Sequence, residues 1–246
     1  MFNPDALIRR ADIGDGRFCI VVDNLLLEPH KLVAEAMARR ALFAAAPVNC
    51  YPGMEQPLPA EFDAQLDAFF MRYVAPAFGA SQTLGMATRM SMVTLRPEEL
   101  MPQQRICHRD ARECPPGEGA VASVLYLFED ARMGGTSFYR ALRHPEEIDF
   151  LLHQARVMEN GAFSKVIGAE PAYYNGDGRY FEKTGTVPAA WNRAIFYDAT
   201  IFHSGQIDAP ELLSPDPARG RLTINAFVRY LRTSGVSSKN WTRTLP

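Results

Sequence analysis

At 246 residues the chain is long enough for one large domain or two small ones, and a core of that size needs no staples. Hydrophobic residues make up 47% and charged residues 22%, which is ordinary for a soluble globular protein. A formal net charge of −2 removes the electrostatic reason to expect nucleic acid or an anionic membrane surface as a partner.

The N-terminal stretch from Met1 to Gly16 is too rich in charge for a signal peptide. No apolar run approaches the roughly 18 residues of a membrane helix, so a soluble, cytoplasmic protein is expected. Phe18 to Val22 reads as a short strand ending in Asp23-Asn24. A helix is predicted from about Pro29, with Leu32, Val33, Ala36 and Met37 on one face, because proline suits the first helical position. A second is predicted near 60–74, where Phe62, Leu66, Phe69, Phe70 and Tyr73 recur at helical spacing.

Beyond it the texture becomes extended. Met86 to Leu95, Ala120 to Phe128 and Thr136 to Tyr139 read as strands, with turns at Pro115-Pro116-Gly117 and Gly134-Gly135. A helix at about 145–158 interrupts them, with Ile148, Leu151, Leu152 and Ala155 on one face. Strands resume at 170–174, 193–198, 200–207 and 221–230. Helices first and then many short strands indicate a β-barrel or sandwich braced by helices. Neither a repeat nor a domain linker is visible. The four cysteines, Cys19, Cys50, Cys107 and Cys114, lack C-x-x-C or zinc-finger spacing, so reduced structural thiols are expected.

On the last strand Arg221, Thr223 and Asn225 share one side, and Leu222, Ile224, Ala226 and Val228 the other. The polar row faces solvent in the bland reading. If helices cover the apolar side, it faces the barrel interior, where an arginine needs an anionic partner.

Three elements carry chemistry. In Cys107-His108-Arg109-Asp110 the His-x-Asp pair can place an imidazole and a carboxylate on one face of an extended segment, close enough to share a metal. Arg109 and Cys107 then point away. The same His-Arg-Asp occurs in kinase catalytic loops, but no glycine-rich loop or Asp-Phe-Gly accompanies it here. The second element is His203, which follows the apolar strand Arg193–Asp198 and precedes Ser204-Gly205; alone it reads as a core histidine. The third is Arg221, eighteen residues later. Arg219 competes with it, but Gly220 separates Arg219 from the strand. His30, His144 and His153 read as capping or solvated residues, and Trp191 and Trp241 as packing. The basic tail, with Arg229, Arg232, Lys239 and Arg243, reads as a solvated edge.

Together these elements resemble the iron(II)/2-oxoglutarate-dependent dioxygenases, especially the prolyl-hydroxylase-like branch. The resemblance covers about residues 18–230. It includes Val22-Asp23-Asn24-Leu25-Leu26 before the first helix, and Ser123 to Leu127 followed by Gly134 to Tyr139. It implies a mainly β fold, a double-stranded β-helix (jelly-roll, cupin-like) braced by N-terminal helices. The expected organisation is a single domain over 1–246. Residues 18–85 would supply the N-terminal strand and supporting helices, and 86–230 the core with an insertion at about 141–187; 231–246 would be a tail.

By the same resemblance His108, Asp110 and His203 bind Fe(II), and Arg221 anchors the co-substrate 2-oxoglutarate with help from Thr223. O2 is the oxidant, and a small-molecule or peptidyl substrate is hydroxylated with release of succinate and CO2. The family's tyrosine shortly before His-x-Asp is missing between Met101 and Cys107, and Tyr126 is the expected substitute. The loop from Tyr173 to Gly178 is the expected lid, with Arg140, Arg143, Tyr173 and Tyr174 as substrate contacts. Two other readings stand beside this one. One is a non-catalytic metal-binding barrel; the other is a cupin-like hydrolase or isomerase that uses metal-bound water.

Overall fold

A computed structural model describes residues 1–45 and 51–233. It opens with an antiparallel pair, β1 (Leu7–Asp12) and β2 (Phe18–Asp23). Helix α1 (Pro29–Ala38) starts on its proline as predicted, and it buries Leu32 and Ala36. Met37 departs from expectation and is 51% exposed, because one further residue rotates it past the buried stripe. Two short strands, β3 (Ala44–Ala45) and β4 (Gly53–Pro57), precede α2 (Ala60–Phe69). The predicted apolar stripe of α2 continues through a wide turn at Phe70–Val74 into α3 (Ala75–Phe78). Pro76 has no amide to give a carbonyl one turn back, which accounts for the loosened turn before it. Gly79, at φ +64°, stops the helix.

The remaining strands are β5 (Ala80–Val93), β6 (Glu118–Tyr126), β7 (Thr136–Ala141), β8 (Phe181–Val187), β9 (Arg193–Asp198), β10 (Phe202–Gly205) and β11 (Arg221–Arg232). Between β7 and β8 lie α4 (Pro145–Val157) and α5 (Asn160–Ile167). The large antiparallel sheet has the order β1-β2-β9-β6-β11-β5-β4-β3, and the small one β10-β7-β8. From β6 to β11 the chain passes back and forth between the two sheets, with β7 and β8 consecutive in the small one, and the result is a double-stranded β-helix.

Strand alternation divides the core. One face of the large sheet, with Ile20, Met92, Leu125, Phe196, Leu222, Ile224 and Ala226, packs on α1–α3 through Leu32, Phe62, Leu66 and Phe70. The other face, with Val21, Ala122, Tyr126, Ile195 and Tyr197, meets Phe138 and Val187 of the small sheet. A third cluster, around Leu151, Phe163, Phe181 and Phe202, seats α4 and α5 on the outside of the small sheet. The helices therefore cover the apolar side of β11, and its polar row turns inward. The Asn192 side chain ties the N-terminal entry to the turn before β9, accepting from the Leu26 amide (3.0 Å) and donating to the Leu26 carbonyl (2.9 Å).

Several expectations fail. No strand forms at 170–174; that stretch is an irregular loop whose hydrogen bonds are made by side chains and isolated carbonyls. The unpredicted elements include β1, β4, β8 and α5. The first, Leu-Ile-Arg-Arg-Ala-Asp, is an edge strand with no fully buried residue, so it lacks an apolar alternation. The third, β8, lies inside the range expected to be an insertion, and β11 runs two residues into the expected tail. Cys19 and Cys107 are buried free thiols and Cys114 is free and partly exposed, whereas Cys50 lies outside the described residues, as do Lys239, Trp241 and Arg243. No helix among the described residues is long and apolar enough to cross a membrane.

Candidate functional site

His108 and His203 face each other across an isolated bridge. Each amide donates to the other's carbonyl, at 3.0 and 2.8 Å, and the rings stand 4.4 Å apart. The chain then bends, and the amides of Asp110 and Ala111 both donate to the Ala199 carbonyl at 3.0 Å. This bend swings the Asp110 carboxylate between the two rings, 3.7 Å from His108 Nε2 and 3.5 Å from His203 Nε2. One ligating atom from each residue lies within 4.8 Å of the others. Metal–ligand bonds of about 2.0–2.2 Å would put neighbouring ligands roughly 3 Å apart, so small side-chain shifts close the triad on an ion.

The tautomer of His203 follows from its partner. Its Nδ1 lies 2.9 Å from the Ile201 carbonyl, which can only accept, so Nδ1 carries the proton and Nε2 presents its lone pair. The Tyr197 ring packs edge-on against His203 at 4.8 Å and is itself held against Phe138. Desolvation first, and then the neighbouring His203, push His108 down to about 4, with Asp110 pulling the other way. Both favour the neutral ring that a metal requires. Cys107 is fully buried beneath α4, and the Arg109 guanidinium reaches to Asp149 rather than to the ligand cluster, although Arg109 still lines the same cavity.

Arg221, at the start of β11, is 4% exposed. Its Nε donates to the Met133 and Gly134 carbonyls (2.9 and 3.3 Å), and its Nη2 to those of Gly134 and Gly135 (3.2 and 2.9 Å). Those carbonyls come from the turn between β6 and β7, where only glycine fits. Gly134 has φ +77°, and a Cβ there would lie 1.5 Å from the Gln206 carbonyl oxygen. No carboxylate among the described residues lies within ion-pairing distance of Arg221, and Nη1 has no hydrogen-bond partner among them. Arg219 is exposed.

Arg221 and the triad line one cavity of about 720 Å³. Thr223 and Asn225 also line it. Thr223 Oγ1 donates to the Ser91 carbonyl at 3.3 Å, and Asn225 Nδ2 to Ser91 Oγ at 3.2 Å. Tyr126 does not line it. Its hydroxyl is fully buried against Thr136 Oγ1 at 2.8 Å, because the β6 register carries it into the core between the sheets. The lining tyrosines are Tyr51, Tyr173, Tyr174 and Tyr197. Burial pushes Tyr51 up to about 12 even though Arg221 and the nearby Thr223 hydroxyl pull it down, so its phenol stays protonated. Tyr51 was missed because a lone tyrosine before Pro52-Gly53 has no periodicity; the pairing of β4 with β5 brings it to Arg221.

Tyr173 and Tyr174 line the cavity, and the loop they begin is pinned in place. Tyr173 donates to the Leu95 carbonyl (2.6 Å), and the Tyr174 carbonyl accepts from Tyr139 and Ser204. The Asn175 side chain bonds both the amide and the carbonyl of Ile207. Arg140 pairs with Glu182 outside the cavity and Arg143 is exposed, so neither is positioned as a substrate contact. Their place on and just after β7 turns them to solvent.

Among solved structures, a Pseudomonas putida prolyl-4-hydroxylase is 13% identical, with a TM-score of 0.46 over 87% of this chain and 94% of its own. HygX from Streptomyces hygroscopicus, with nickel and 2-oxoglutarate bound, is 12% identical, with a TM-score of 0.49 over 88% and 84%. The non-heme alpha ketoglutarate dependent epimerase SnoN from nogalamycin biosynthesis is 15% identical, with a TM-score of 0.43 over 93% and 86%. No curated protein matches the sequence. The model of a family of unknown function, DUF6445, matches residues 4–228, and the chain belongs to that family.

Proposed function

We propose that this protein is a non-haem iron(II)- and 2-oxoglutarate-dependent oxygenase that hydroxylates a small-molecule or peptidyl substrate, releasing succinate and CO2. The observation that carries this reading is one cavity holding both a His-Asp-His cluster and a buried arginine with no acid partner among the described residues. Two imidazoles and a carboxylate are a donor set that would hold Fe(II) and leave room for a chelating co-substrate and O2. A buried guanidinium aimed into the same space calls for an anion, and 2-oxoglutarate is a dicarboxylate.

The bound metal and co-substrate supply the oxidising chemistry, and the chain supplies the placement. His108, Asp110 and His203 are the proposed ligands, with His203 kept in one tautomer by the Ile201 carbonyl. Arg221 Nη1 would meet the distal carboxylate; Nε and Nη2 are occupied by the turn, so the guanidinium is oriented before the anion arrives. The protonated Tyr51 would be a further donor to the same carboxylate, and Thr223 another once its hydroxyl turns away from the Ser91 carbonyl. Tyr173, Tyr174 and Tyr197 wall the cavity and limit water near the reacting centre. A hydrolytic metal site has no need of Arg221, which is why the oxygenase reading is preferred.

The test is an anaerobic titration of the metal-free protein with iron(II) and then 2-oxoglutarate. A visible charge-transfer band that needs both components is expected. Bound iron with no band on adding 2-oxoglutarate would remove the co-substrate from the proposal.

A further inference from the structure

Arg109 lies between two proposed metal ligands, yet its side chain is committed elsewhere. Its Nη2 sits 3.2 Å from Asp149 Oδ1 on α4. Its guanidinium also stands 5.0 Å from the ring of Phe202, the residue before His203. Arg112, two residues past Asp110, reaches the other oxygen of the same carboxylate at 2.5 Å. One acid on α4 thus staples the stretch that carries Asp110 on both sides of it. The staple is also in van der Waals register with the strand that carries His203.

That stretch has little else to hold it. Outside the His108 bridge to β10 and the two amides on Ala199, it belongs to no strand ladder. A bend held by so few backbone bonds is soft, whereas a metal site demands its ligands within about 0.5 Å of the working geometry. The Arg109–Asp149 pair is well placed to supply the stiffness. Its side chains are 22% and 31% exposed, so it is screened less than the Arg112 arm, at 71%.

We propose that Asp149, acting through Arg109 and Arg112, is a positioning residue that sets the metal affinity of the His108–Asp110 segment from helix α4. The inference rests on the metal-site reading above. Among the described residues Asp149 pairs with Arg109 and Arg112 and with none of the three ligands, so its effect passes through the two arginines. It also links metal retention to the packing of α4, whose Leu152, Ala155 and Arg156 line the same cavity.

The experiment uses the full chain and Co(II) as the probe, read by calorimetry and by the visible absorption of the bound ion. Arg109→Leu and Asp149→Asn are each expected to weaken Co(II) binding about tenfold or more, the scale of a lost outer-layer partner. The absorption bands should shift as well, while the melting temperature stays within a few degrees. Arg109→Lys, which keeps the charge, should recover part of the affinity, and Arg112→Leu should show a smaller loss. If Arg109→Leu fails to fold, the milder Asp149→Asn and Arg109→Lys still decide the matter. Wild-type affinity and spectrum in Asp149→Asn would overturn the positioning role while the metal site stands. A wild-type protein that binds no Co(II) would overturn both.

Discussion

Replacing Arg221 with alanine separates the co-substrate pocket from the metal site. The substitution removes the Nη1 donor and a buried positive charge, and it strips the donors from the Met133, Gly134 and Gly135 carbonyls. Truncating one partner of a buried, hydrogen-bonded charge pair costs about 2–5 kcal/mol. Taking about 3 kcal/mol, at roughly 1.4 kcal/mol per decade, the dissociation constant for 2-oxoglutarate should rise about a hundredfold. The three carbonyls lie in a buried turn, and water entering the space left by the side chain can replace only part of what they lose, so the stability loss should be about 1–3 kcal/mol, a drop of about 2–12 °C in melting temperature for a chain of this size. Metal affinity should change much less, because no triad residue bonds to Arg221. The assay is calorimetric titration of 2-oxoglutarate into metal-loaded protein without oxygen, with metal binding measured separately. Arg221→Lys should fall between the two, since an ammonium cannot span three carbonyls and still face the anion. If the alanine variant keeps its fold and metal and binds 2-oxoglutarate within threefold of wild type, the anion-pocket assignment is wrong.

Asp110→Ala should remove metal retention beyond the 10–100-fold typical of an outer partner, with little loss of stability, because the carboxylate sits at the cavity edge with its side chain 17% exposed. Metal content after desalting checks this, and wild-type content would exclude Asp110 as a ligand. Gly134→Ala should destabilise the protein by more than about 2 kcal/mol, because the added Cβ meets the Gln206 carbonyl at 1.5 Å in a left-handed turn. It should also weaken 2-oxoglutarate binding by moving the carbonyls that hold Arg221. Denaturant unfolding together with the same titration reads both effects, and unchanged values would mean the turn does not orient the arginine.

Much of the architecture was legible because it depends on local spacing. The proline starts of α1 and α4, the aromatic stripe of α2 and the alternation along β11 each follow from residues a few positions apart. The His-x-Asp pair, His203 and Arg221 were likewise visible as residue types in order. The elements that escaped notice were those without periodicity. The exposed edge strand β1 and the polar strand β8 become strands only because β2 and β7 offer them open ladders.

What the sequence by itself determined, then, was the set of chemical groups and the side of each strand on which they stand. Tertiary structure decided their company. Arg221 is gripped by carbonyls more than eighty residues away, Tyr51 reaches it through the β4–β5 pairing, and Tyr126 is drawn into the core. Arg140 is drawn out to Glu182. The reason is physical. The direction of a side chain in a strand is a property of the local backbone, but the group it meets depends on how two sheets close on one another. That closure is set by core packing summed over the whole chain.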